Sequence, residues 1–185
     1  MRRVVTFLLV VGAVLVNAVA ASAPGLTPAQ IERAIREFCG DANFRVVRIR
    51  PARFTRHGLR QWVVVARPDY PEGEFEDYEI DPTTGEVVFM FKPHYVVGDV
   101  TPRFTLEQCH EIALALARQH YRGFGQRPTR LVEVAYSGNG DRAFVSWVEV
   151  LNRYGTLAPH GILVQVDTQT GAVVLYSGWH YRITR

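Results

Sequence analysis

This chain writes one helix start twice, and that feature constrains its fold more than any other. Leu26-Thr27-Pro28-Ala29-Gln30-Ile31 and Phe104-Thr105-Leu106-Glu107-Gln108-Cys109 lie 78 positions apart. Thr27 and Thr105 are placed to N-cap a helix, and Gln30 and Gln108, three residues on, can reach back to the cap amide as a capping box. Pro28 suits a first helical position. Leu26 can staple onto Ile31 and Phe104 onto Cys109, which sets how the chain enters each helix. The first helix carries Ile31, Ala34, Ile35 and Phe38 on one face, and the second Cys109, Ile112, Ala113, Leu116 and Ala117. That spacing buries one side of each. Gly40 ends the first helix, and the second gives way between Tyr121 and Gly123.

After each helix come short alternating or β-branched runs divided by Gly, Pro and Asp, which predict antiparallel strands. The first set falls near 44–50, 61–67, 75–80 and 86–91, and the second near 130–136, 142–151, 161–167 and 172–176. Matching turns close the last two strands of each set: Asp81-Pro82-Thr83-Thr84-Gly85 and Asp167-Thr168-Gln169-Thr170-Gly171. In each, the Asp carboxylate can accept from turn amides and the Gly can take positive φ. Ser137-Gly138-Asn139-Gly140-Asp141 is a further hairpin turn. The predicted class is α+β, two repeats over 26–92 and 104–181, each one helix packed on its own four-stranded antiparallel sheet, joined by a linker at 93–103. Repeats of that size are marginal alone, so they are expected to share an interface.

The hairpins Tyr78-Glu79-Ile80-Asp81-Pro82-Thr83-Thr84-Gly85-Glu86-Val87-Val88 and Val164-Gln165-Val166-Asp167-Thr168-Gln169-Thr170-Gly171-Ala172-Val173-Val174, each behind a capped helix, resemble the PepSY domain family. The resemblance implies cystatin-like repeats, export, and a non-enzymatic role in restraining peptidases or regulating the cell envelope. It carries over no catalytic residues. With no protease domain following the repeats in this sequence, restraint in cis is not expected, and the action the resemblance implies is inhibition in trans, by a sheet edge or loop added to the target's cleft. The alternative is an envelope module whose sheet faces hold a small apolar or peptide ligand without affecting proteolysis.

The N-terminus agrees with export. Arg2 and Arg3 precede an apolar run from Val4 to Val16 and small residues around Ala18-Val19-Ala20, a secretory signal pattern over 1–20 with the mature chain beginning near Ala21. The chain would then be periplasmic or extracellular; kept uncleaved, the same segment would be a membrane anchor. The formal charge of +3 drops to +1 once Arg2 and Arg3 are gone, so no net field favours polyanions and nucleic acid is not an expected partner. In an oxidising compartment Cys39 and Cys109 could bridge, closing a loop worth about 4 kcal/mol, or remain two buried thiols on their helices' apolar faces.

No constellation of residues supplies chemistry. His110-Glu111 lacks the second histidine of a helical zinc motif, since Leu114 stands there. No nucleophile elbow, phosphate loop or run of alternating carboxylates occurs, so no cofactor, metal or catalytic residue is assigned. Two surfaces remain as candidate partner sites. One is the basic stretch Arg45, Arg48, Arg50, Arg53, Arg56, His57 and Arg60, which either steers an acidic partner or pairs with Glu72, Glu74, Glu76, Asp77 and Glu79. The other is the C-terminal aromatic run ending Trp179-His180-Tyr181, either a partner anchor or a terminal strand packed on the other repeat.

Overall fold

The computed structural model describes residues 25–55, 58–126, 128–150 and 157–179, with side chains described over the same stretches apart from 51–55, 58 and 157–159. The chain runs α1 (Pro28–Cys39), β1 (Arg45–Thr55), β2 (Gly58–Ala66), β3 (Glu76–Ile80), β4 (Val87–Phe91), α2 (Leu106–His120), β5 (Thr129–Tyr136), β6 (Arg142–Val150), β7 (Leu157–Asp167) and β8 (Val173–Trp179). Segment 1–20 lies outside the described residues. None of the described helices is long and apolar enough to cross a membrane.

Both helices start on complete capping boxes. Thr27 Oγ1 accepts from the Gln30 amide at 3.3 Å while Gln30 Oε1 accepts from the Thr27 amide at 2.8 Å. Thr105 and Gln108 repeat the exchange at 3.2 and 2.9 Å. Gly40 closes α1 at φ 66°, a left-handed conformation that favours glycine. α2 ends instead on extended Tyr121, whose amide donates to the Ala117 carbonyl. Ile31, Ile35 and Phe38 of α1 and Cys109, Ala113 and Ala117 of α2 are buried against the sheet.

The expectation of two repeats, each a helix on its own four-stranded sheet, is overturned. All eight strands form one antiparallel sheet in the order β1-β2-β3-β4-β8-β7-β6-β5. The seam joins β4 to β8, with Phe89 opposite Ser177, Met90 opposite Tyr176 and Phe91 opposite Leu175. Separate sheets would have left the apolar strand Val87–Phe91 as an open edge, with unpaired amides and an exposed run of large side chains; pairing with β8 removes both costs. One row then crosses every strand on the helix-covered face: Ile49, Val63, Tyr78, Met90, Tyr176, Val164, Val145 and Val134. The helices share that face and meet across it, where Phe38 of α1 packs on Tyr78, on Tyr176 and on His120 of α2.

The two Asp turns are close copies. Asp81 Oδ1 accepts from the Thr83 amide at 2.8 Å, and Asp167 Oδ1 from the Gln169 amide at 2.6 Å. Gly85 and Gly171 close them at φ 76° and 74°. β1 and β7 run longer than the sequence suggests, because Pro51 and Pro159 fall within register shifts, where a missing N–H breaks no ladder bond.

The segment after β4 is tied to the hairpin turns of the second half. Val100 N donates to Asn139 O at 2.9 Å, and the Arg103 and Phe104 amides donate to Thr168 O at 3.0 and 2.9 Å. His94 is wedged between two carboxylates, with Nε2 3.2 Å from Asp141 Oδ2 and Nδ1 3.6 Å from Asp167 Oδ2.

Candidate functional site

Among the described residues no helix covers the second sheet face. A groove of about 380 Å³ opens there. Its floor is Trp62 and Val64 of β2, its sides Arg48 and Asp77, and its end is closed by Phe91 and Tyr95. The run from Trp62 to Val65 is apolar on both faces of β2: Val63 and Val65 face the helices and are fully buried, which leaves Trp62 and Val64 for the groove. Tyr95 is 79% exposed.

Polar contacts hold the groove's floor in place. Trp62 Nε1 donates to Asp77 Oδ1 at 3.0 Å, and the Arg50 guanidinium lies over the indole at 4.1 Å. Burial raises the Asp77 carboxyl above its usual range, opposed by the Trp62 hydrogen bond and the charge of Arg50. A larger cleft of about 460 Å³ lies on the helix side, between the C-terminal ends of α1 and α2. Glu37, Glu86, Arg118 and Arg122 ring it, and Arg122 reaches Glu86 at 3.9 Å. Its charges come in both signs, and Phe38, Tyr121 and Phe124 also line it.

The predicted partner residues divide. Arg48 and Arg50 are exposed on the helix-free face. Arg53 lies on β1 opposite Arg60, its side chain outside the described residues, and Arg56 lies outside them altogether. Arg60 does not belong to an exposed surface: it is 5% exposed and pairs at 3.6 Å with Asp81 of the turn between β3 and β4. Trp179 ends β8, half-buried over Gly161, while His180 and Tyr181 lie outside the described residues. The basic stretch and the aromatic run are not brought together, because β2, β3 and β4 stand between β1 and β8. Cys39 and Cys109 carry free thiols rather than a bridge. Cys39 Sγ donates to the Ile35 carbonyl at 2.7 Å, and burial raises the Cys109 thiol above its usual range, with the charge of Asp167 adding to it. Among the described residues no group of three or more His, Cys, Asp or Glu side chains could hold a metal ion.

Sequence reasoning missed Trp62, Val64, Phe75, Asp77, Phe91 and Tyr95 as a site. They come from three strands, the residue before β3 and the segment after β4, and only the two-sided apolar run at 62–65 hinted that one apolar face lacks a cover.

No protein-family model matches the chain, and no curated protein matches it. Among solved structures, the C-terminal domain of YpeB from Bacillus megaterium is similar over 88% of this chain and 69% of that one, with a TM-score of 0.66 at 12% identity. At that identity the likeness is one of fold alone.

Proposed function

We propose that this protein is an exported, non-enzymatic binding module whose groove holds an extended peptide segment of a partner. The observation that carries the reading is the groove itself: an apolar floor at Trp62 and Val64 between charged walls, open on the sheet face that no helix covers among the described residues. Such a site, apolar with a few fixed polar groups, is suited to binding. The fold likeness is consistent with a binding module. When the bound segment belongs to a peptidase, the same groove inhibits in trans; when it does not, the module binds without affecting proteolysis. In this reading segment 1–20 directs export and the mature chain begins near Ala21.

The test uses the mature chain as bait on envelope and culture-fluid proteins of the source organism, beside a Trp62→Ala variant. Retained proteins are assayed for peptidase activity before and after release. A peptidase silent while bound, active once released and lost with Trp62→Ala supports inhibition. A partner lost with Trp62→Ala but lacking peptidase activity supports the ligand form. Equal retention by both baits removes the groove from the reading.

A further inference from the structure

The arginines of β1 owe their arrangement to a break in the strand's regularity. Strict alternation would put Arg45 and Arg48, three positions apart, on opposite faces. The register shift at Val47 cancels that offset: Arg45 stands opposite Ala66, Arg48 opposite Val64 and Arg50 opposite Trp62. All three therefore share the helix-free face and are exposed, while Val46 and Ile49 pack on the core.

The acidic side chains of that face sit two strands away. Asp77 stands opposite Val64 and Glu79 opposite Trp62 from the far side of β2, so the columns of opposite charge are separated by roughly 9.6 Å, two strand spacings. Arg50 bridges part of that gap by lying across Trp62, where its charge is felt by Asp77. Arg45 and Arg48 have no ion-pair partner among the described residues. Direct cross-strand pairing therefore does not account for Arg45 and Arg48.

We infer that the groove takes an acidic, extended peptide segment laid along β1 and β2, with carboxylates at alternate positions on Arg45, Arg48 and Arg50 and one aromatic or aliphatic side chain between Trp62, Phe91 and Tyr95. This rests on the binding reading above and names the chemistry of its occupant. Alternate residues of an extended chain repeat about every 6.8 Å, the same repeat as the arginine column, so each carboxylate meets a guanidinium in register. Glu74 and Asp77 line the groove itself; an extended segment can set its carboxylates on the arginine column and turn an uncharged side chain toward those acids, which a flat anionic membrane cannot.

Fluorescence anisotropy on the full mature chain tests this with labelled peptides that carry Glu at alternate positions around one Phe, beside analogues with Lys in place of Glu. The Glu peptide is expected to bind at least about tenfold tighter than the Lys peptide and to weaken as salt rises. The double variant Arg45→Glu/Arg48→Glu is expected to invert that preference; the neutral pair Arg45→Gln/Arg48→Gln, expected to abolish it, serves if the reversal unfolds the chain. Equal binding of both peptides, lost with Trp62→Ala, overturns the acidic preference and leaves the groove reading standing. Binding of neither peptide by the folded chain overturns both. Tight binding to phosphatidylglycerol vesicles that neither peptide competes away overturns the peptide in favour of a membrane.

Discussion

In the first half, Arg67, one residue past β2, meets Glu76 of β3 in the interior; at the matching positions of the second half, counted from the row that Val63 and Tyr78 share with Val145 and Val164, stand Glu149 and Ile162. The Glu76 carboxylate, 1% exposed, accepts from Tyr70 at 2.8 Å, from Tyr78 at 2.6 Å and from Arg67 at 3.0 Å. Burial alone would lower the Arg67 pKa, yet the hydrogen bond and charge of Glu76 hold it above its usual range. In the second half Glu149 meets a hydroxyl, with Tyr121 Oη 3.4 Å from its Oε1. The helix-free face diverges too: Trp62, Phe75 and Asp77 correspond to Phe144, Gly161 and Leu163. The groove thus belongs to one half by substitution on a shared frame, and a backbone match alone does not transfer a site.

The comparison can be broken most sharply at the buried ion pair. Arg67→Leu strands Glu76 without its counter-charge and is expected to cost about 3–5 kcal/mol in urea denaturation. Adding Glu76→Ile, the residue of the second half, should recover part of that loss; a double variant no better than the single would show that the halves are not interchangeable here. Next comes Gly161, where a Cβ would lie 2.5 Å from the Trp179 ring and 2.6 Å from the Trp147 carbonyl. Gly161→Ala is expected to lower stability by about 1–3 kcal/mol, whereas its counterpart Phe75, 38% exposed, tolerates truncation to Ala with a smaller loss in the same thermal melt.

The caps sharpen the likeness instead. Thr27→Ala and Thr105→Ala should each cost about 1 kcal/mol, since the two boxes have the same geometry; a clear inequality between their melting shifts would mark one helix as less dependent on its cap. The smallest effect is expected at His120, where the halves touch. Burial lowers its pKa, and Phe38 packs on its ring at 4.4 Å. An unfolded histidine takes up its proton near pH 6.5 while the folded one stays neutral, so stability falls as pH drops below that value until the folded group also protonates. His120→Gln should flatten that slope in melts between pH 7 and 5.

What the sequence disclosed was local. The Thr-x-x-Gln boxes and the Asp-to-Gly turns are recognised by contacts within a few residues, and the structure forms them as the sequence reading expects. The single sheet was hidden because no neighbouring residue specifies that β4 meets β8; that choice follows from covering an apolar edge. Arg60 looked like its basic neighbours, yet its partner Asp81 lies 21 positions on and draws it inside. Pro51 looked like a strand end, and the strand passes through it by a register shift. The groove needed the whole topology, since Trp62 and Phe91 become neighbours of one cavity only after β3 is laid between their strands.

The irregularities at Val47 and Val132 sit on β1 and β5, the two outermost strands of the sheet. An open sheet of this width presents two rows of amides that could template another chain, and growth at either rim would lead to fibres. An extra residue in each outer strand twists the rim and spoils its pairing pattern. Val47 and Val132, at 41% and 57% exposure, therefore act as terminators at both rims of an eight-stranded sheet whose ends, among the described residues, no helix covers.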